Sequence, residues 1–215
     1  MSVSDRPMRI FVEGLGRCGT SLVYLSLADA APSHFRKDFF RHIADAPSES
    51  GIYKTHDYPS PALGTGDRVI YLFGEPERIV QSLFFLEPSF KEEHFQNFGR
   101  EYRGDEESLL RHDGLGLGEH FRSWKYYSSG TPILFLHYET IWANLQLLRD
   151  FTGLNLHLPE RVPPRVLPAI DLRVDFRTLR GEMTERVFLR PRSLQDSLEK
   201  DSHDRDHRLG PFAIP

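Results

Sequence analysis

Residues 13–21, Glu-Gly-Leu-Gly-Arg-Cys-Gly-Thr-Ser, gather glycines, one guanidinium and two hydroxyls into nine positions, a set suited to holding an anion. Two templates fit. Gly14-x-Gly16-x-x-Gly19 has the spacing of a dinucleotide-binding fingerprint, and Gly14-x-x-x-x-Gly19-Thr20-Ser21 has that of a phosphate-binding P-loop with Thr20 in the lysine position. The dinucleotide template needs a second strand ending in an acidic residue about 20 positions on, to hold a ribose. Asp38 lies at a usable distance, but it stands among Arg36, Lys37, Arg41 and His42 with no apolar strand before it. The phosphate template needs only a strand, a glycine turn and a helix start, whose free N–H groups and dipole favour an anion. Arg17 brings positive charge from within the loop. Without the lysine and a metal-holding acid, ordinary ATP hydrolysis is disfavoured.

Other residues with chemical potential are scattered. Lys54-Thr55-His56 puts a cation and an imidazole at the end of an apolar run, where a base of near-neutral pKa suits proton abstraction. Cys18 stands near a helix start, where a thiol's pKa falls; a small residue filling the loop accounts for it as well. His112, Asp113 and His120 lie in a glycine-rich stretch that could face a second substrate. His203 and His207 have a four-residue spacing that can chelate a metal on a helix, but their charged surroundings suit a solvated segment better.

The elements that must position these residues follow from the apolar pattern. Residues 8–13, 51–56, 68–73 and 132–138 read as short buried strands, the first running straight into the glycine loop. Helices are expected over 20–30, ended by Pro32; over 76–86, with Pro76 at the first helical position; over 118–127; and over 139–153, closed by Gly153. Strands alternating with helices imply an α/β fold, a parallel sheet covered on both faces, with ligands at the carboxyl ends of the strands. The span 90–118 reads as loop with some helix, a candidate lid. Beyond Pro159 the alternation fades. One domain over 1–192 and a polar tail over 193–215 are expected.

At this point a resemblance emerges. "GLGRCGTS" is similar to the loop that binds the 5′-phosphosulfate in sulfotransferases, whose core reads Arg/Lys-Ser-Gly-Thr/Ser-Thr/Ser. "YKTHDYPSPAL" resembles the family's Lys-Thr-His-x-Pro strand end, with Tyr58 inserted before Pro59. "VIYLFGEPERIVQSLF" resembles its second nucleotide-binding segment, Tyr-x-x-Arg-Asp-Pro-x-Asp-x-x-x-Ser, and "LFLHYETIWANLQLLRDFTGL" its Tyr-Glu-Asp segment. The four blocks keep the family's order between Ile10 and Leu154. The resemblance implies a three-layer α/β/α fold with a central parallel sheet and a P-loop-like phosphosulfate-binding loop. It also implies 3′-phosphoadenosine 5′-phosphosulfate (PAPS) as donor, a hydroxyl or amine of a small molecule or carbohydrate as acceptor, and no metal. His56 would be the base, with Lys54 and Arg17 as the cations beside the breaking bond. Gly16, Arg17, Cys18, Gly19, Thr20 and Ser21 would form the loop that holds the 5′-phosphate, Ser82 would hold the 3′-phosphate, and Tyr138 would lie near the adenine.

This chain departs from the pattern in three places. Gly74 stands where the family has the arginine that pairs with the 3′-phosphate, Glu75 where it has aspartate, and Leu22 where many cytosolic members carry tryptophan. Losing a bidentate phosphate contact weakens donor binding unless another cation substitutes; Arg78, Arg186, Arg190 and Arg192 are the candidates. An altered donor, a kinase with an unusual phosphate loop, and a scaffold that binds without transfer all remain open.

Bulk properties set the outer bounds. The 215 residues suffice for a full core, and 39% hydrophobic with 27% charged residues is ordinary for a soluble globular protein. A formal charge of −4 argues against a general nucleic-acid binder. With one cysteine no intrachain disulfide can form. No apolar run approaches membrane-spanning length, and no signal segment opens the chain, so a cytoplasmic location is expected.

Overall fold

A computed structural model describes residues 7–104, 106–161 and 166–190. The expected polar tail, and with it His203, His207 and Arg192, lies outside the described residues. The elements in chain order are β1 (Arg9–Gly14), α1 (Thr20–Ala30), β2 (Arg36–Phe39), β3 (Gly51–Lys54), β4 (Arg68–Phe73), α2 (Pro76–Phe84), α3 (Pro88–Asn97), α4 (Glu106–Arg111), α5 (Leu117–Lys125), β5 (Ile133–His137), α6 (Leu145–Thr152), α7 (Arg177–Glu182) and β6 (Val187–Arg190).

The six strands form one sheet in the order β2-β3-β1-β4-β5-β6. All neighbours are parallel except β5 and β6, which run antiparallel. The mixed α/β architecture, a mostly parallel sheet with seven α-helices among the described residues, is compatible with a three-layer α/β/α arrangement. Among the described residues no helix is long and apolar enough to cross a membrane.

The four expected strands are the central ones, and their continuous apolar runs suit burial on both faces. Along β4, Val69 to Phe73 are all buried, and β5 is buried throughout. The largest fully buried side chains include Trp124, Tyr53, Tyr71, Phe11, Phe73, Phe121 and Phe135. Fully burying side chains of this size contributes about 1.5–3 kcal/mol apiece before the entropy of ordering them is subtracted. Phe121 and Trp124 of α5 pack on Tyr71 of β4, and Phe121 also meets Phe135 of β5, so this helix covers the β4–β5 part of the sheet. Helix α1 lies against β1 and β3.

Three elements differ from the sequence expectation, each for a physical reason. β2 is an edge strand whose residues are mostly exposed, so its Arg-Lys-Asp-Phe sequence lacks an apolar signal; charged side chains there blunt the open edge. β6 is four residues long and only partly buried, and it is fixed by Phe188 stacking on Phe135 at 4.3 Å. The expected single helix over 139–153 opens as two 3₁₀ turns, at Tyr138–Thr140 and Trp142–Asn144, before α6 begins. Side chains compete with the helical ladder in those turns. The Thr140 hydroxyl donates to the His137 carbonyl at 2.8 Å, and the Asn144 amide donates to the Thr140 carbonyl at 2.8 Å. The glycine-rich span holds regular structure too. Helix α3 starts on Pro88 and α5 is capped by Asp113, whose carboxylate accepts from the Leu117 and Gly118 amides, each at 2.8 Å.

Candidate functional site

The chain leaves β1 towards β2 and β3 on one side, then crosses to β4 and β5 on the other. Such a reversal opens a crevice at the carboxyl ends of the strands, where ligands bind in open α/β sheets. The four sequence blocks end there side by side: Lys54 to His56 at and just beyond the end of β3, the glycine loop after β1, Gly74 to Ser82 after β4, and Tyr138 after β5.

Backbone geometry explains the loop's glycines. Gly14 has φ 145°, and a Cβ on it would lie 2.0 Å from the Leu72 carbonyl oxygen. Gly19, at φ 87° just before α1, would press a Cβ to 2.8 Å from the ring of Tyr138. Arg17 is the non-glycine residue with positive φ, at 65°, among the described residues. Backbone strain of about 1 kcal/mol in such a residue is tolerated mainly where the side chain must point in one direction. Here Arg17 Nε donates to the Ser82 hydroxyl at 2.9 Å, joining the loop to α2.

Two cavities of about 460 Å³ each flank this contact, and Arg17 and Tyr138 line both. The first is also walled by Gly19, Thr20, Ser21, Lys54 and His56, so the loop's hydroxyls and the Lys-Thr-His segment face one space. The second takes in Cys18, Gly74, Glu75, Ser82 and Glu139. Of the expected site residues, Gly16 lines neither; its Cα faces the His94 ring, and a Cβ there would fall 2.8 Å from it.

His56 is buried, and its Nδ1 lies 2.8 Å from the Gly14 carbonyl oxygen. A carbonyl only accepts, so Nδ1 carries the proton and Nε2 keeps its lone pair. Burial, then the charge of Lys54, lowers the imidazole pKa to about 3, so the ring is neutral in the free protein. Lys54 is itself held below the ordinary lysine value by burial, with Glu93 opposing, and its ammonium sits 4.6 Å from the centre of the Phe39 ring.

Beneath the site, α5 fastens the segment that follows His56. His120 Nε2 and Trp124 Nε1 both reach the Asp57 carbonyl, at 2.9 and 3.0 Å, and the Tyr71 hydroxyl meets His120 Nδ1 at 2.9 Å. His120 is therefore a buried structural residue that does not face a second substrate, and burial lowers its pKa to about 4. Asp113 is likewise occupied as the cap of α5.

Cys18 is buried, with its thiol on the Leu15 and Leu72 carbonyls, and burial pushes its pKa up where a helix start alone would lower it. It packs the loop. Asp38 sits on β2, two strands from β1, with its carboxylate taken by Arg36 and the Phe39 amide. That is no place for a ribose beside the glycine loop.

The sequence reading missed the α3 wall of the first cavity, formed by Glu93, His94 and Asn97. Pro88, a first-turn proline, was the available signal for this helix. Among the described residues no group of three or more His, Cys, Asp or Glu side chains is arranged to hold a metal ion. No protein-family model matches the sequence, and no curated protein sequence matches it either.

Proposed function

We propose that this protein is a sulfotransferase. It would move a sulfuryl group from an adenosine phosphosulfate, PAPS in the form the resemblance implies, to a hydroxyl or amine of a small-molecule or carbohydrate acceptor. The observation that carries this reading is the convergence of Arg17, Lys54 and His56 on one cavity at the start of α1. The loop after β1 then acts as a P-loop-like cradle: amides at the α1 start and the hydroxyls of Thr20 and Ser21 hold the 5′-phosphate, as helix N-termini do.

The residues suit an in-line displacement. The acceptor oxygen bonds to sulfur while the bond from sulfur to the bridging phosphate oxygen breaks, and that oxygen leaves with the electron pair. His56 Nε2 takes the acceptor's proton. Arg17 and Lys54 offset the charge growing on the leaving oxygen, which is most effective where water is excluded. His56 is a weak base in the free protein, because burial, and then Lys54, disfavours its cation. An anionic donor in the same cavity opposes the charge of Lys54 and so makes the imidazole more basic when transfer is due.

The test is calorimetric titration of the full chain with 3′-phosphoadenosine 5′-phosphate and with adenosine 5′-phosphate. Binding of either at micromolar concentration, retained in His56→Ala and weakened in Arg17→Ala, is the expected result. Absence of heat with both, beside a clear response to ATP with Mg²⁺, would replace this reading by a kinase one.

A further inference from the structure

We propose that the second cavity binds the nucleotide's ribose with both its 2′- and 3′-hydroxyls free, so that the preferred donor carries no 3′-phosphate. This rests on the nucleotide reading above and narrows it. The cavity adjoins the phosphate cradle through Arg17 and Tyr138, and Ile79, Phe85 and Leu86 give it an apolar wall broad enough for a base. Its polar side is set by Glu75 and Glu139, each with a side chain about one-third exposed (34%).

Among the described residues the charges on that side already balance. Arg78 stands 3.8 Å from Glu139, and Arg186, ahead of β6, reaches Glu139 at 3.0 Å and Glu75 at 3.5 Å. His137, 3.4 Å from Glu75, is driven towards its neutral form by burial and by Arg186. Two arginines therefore face two carboxylates, and among the described residues Arg17, turned towards Ser82, is the remaining cation lining the cavity. A phosphate monoester carries a charge of about −1.5 to −2 at neutral pH and would compete with both carboxylates for the same guanidinium groups. Hydroxyls do the opposite. Ionised carboxylates only accept hydrogen bonds, and a ribose diol donates two.

Packing does not force the missing cation. A Cβ on Gly74 would meet only Cys18 and Tyr138 Cβ atoms, at 3.7 and 3.9 Å, which is ordinary contact, and its φ lies outside the left-handed region. A side chain fits there, and this chain has none.

The experiment compares adenosine 5′-phosphate with 3′-phosphoadenosine 5′-phosphate by calorimetry on the full chain. The 3′-free nucleotide should bind about tenfold tighter or more. Gly74→Arg, and separately the pair Glu75→Gln with Glu139→Gln, should shift the preference towards the 3′-phosphorylated form by about tenfold. Equal affinities, or tighter binding of the 3′-phosphorylated form by the unaltered protein, overturn this proposal and leave the nucleotide reading standing. No binding of either nucleotide at millimolar concentration removes both.

Discussion

His56 Nδ1 and the Gly14 carbonyl oxygen lie 2.8 Å apart across 42 residues of sequence, so the segment that follows β3 is tied to the glycine turn that follows β1. This contact sets the tautomer, and burial with Lys54 nearby sets the charge. Proton NMR of the free protein should therefore find the His56 ring unchanged from pH 8 down to about 4, titrating near pH 3. With a saturating adenine nucleotide its midpoint should move up, because the added anion opposes the charge of Lys54. A ring titrating near the ordinary 6.5 in the free protein would show that it is solvated, against the burial described.

Glu13, on β1 just before the glycine turn, has both carboxyl oxygens buried with no hydrogen-bond partner among the described residues. Burial, then Asp57, raises its pKa well above the ordinary 4.5, with backbone groups of Gly14 and Asp57 pulling the other way. The folded protein holds a proton on Glu13 that the unfolded chain releases above pH 4.5, so this group lowers stability as pH rises towards its folded pKa. His56 and His120 act in the reverse sense. Their depressed pKa values make the folded state lose protons that the unfolded chain keeps below 6.5, so their contribution is complete above 6.5 and lost as pH falls towards 4 and 3. Each group accounts for about 1.4 kcal/mol per pH unit in its window. Glu13→Gln should thus stabilise the protein relative to the parent, and increasingly so as pH rises from about 5 to about 7.5. Urea unfolding of both proteins at the two pH values measures this; a gap that does not change with pH would mean that Glu13 is ionised in the fold.

The sequence made the central sheet and the β1 loop legible because they rest on local signals. Continuous apolar runs mark doubly buried strands, and closely spaced glycines before an apolar helical pattern mark a tight strand-to-helix turn. The edges were hidden for the converse reason: β2 exposes Arg36 and Lys37, and β6 is a four-residue strand whose place is set by distant partners on β5, Phe135 stacking on Phe188 among them. The wall from α3 was hidden because its buried residues, Lys91 and Phe95, make only a weak apolar stripe. The pairing of Arg186 with Glu75 joins residues 111 positions apart, and no spacing rule reaches that far. His120 shows the limit from the other side, since its type suggested chemistry and its place under Asp57 gives it a structural task.

Arg17 separates binding from stability. Its φ of 65° suits glycine, so Arg17→Gly should leave the protein as stable or gain up to about 1 kcal/mol, while nucleotide affinity falls about tenfold or more. Thermal unfolding of the free variant, set beside calorimetric titration, measures both. A large loss of stability would mean that the contact with Ser82, at 2.9 Å, supports the fold more than it orients the guanidinium.

Gly14 and Gly74 end adjacent strands of the crevice, yet they should respond differently to a methyl group. At Gly14 the new Cβ falls 2.0 Å from the Leu72 carbonyl oxygen, backbone that cannot swing aside, and φ is 145°. Relief requires β1 and β4 to part, which breaks the bond from the Leu15 amide to that same carbonyl and moves the oxygen that anchors His56. Gly14→Ala should cost about 3 kcal/mol or more and lower nucleotide affinity in whatever protein still folds. Gly74→Ala, with its nearest neighbours at 3.7 Å and beyond, should change stability by no more than about 0.5 kcal/mol. Denaturant unfolding of the two variants decides the matter. Similar stabilities would mean that the turn after β1 is loose, and a turn that loose could not hold Arg17 and His56 in fixed places around one cavity.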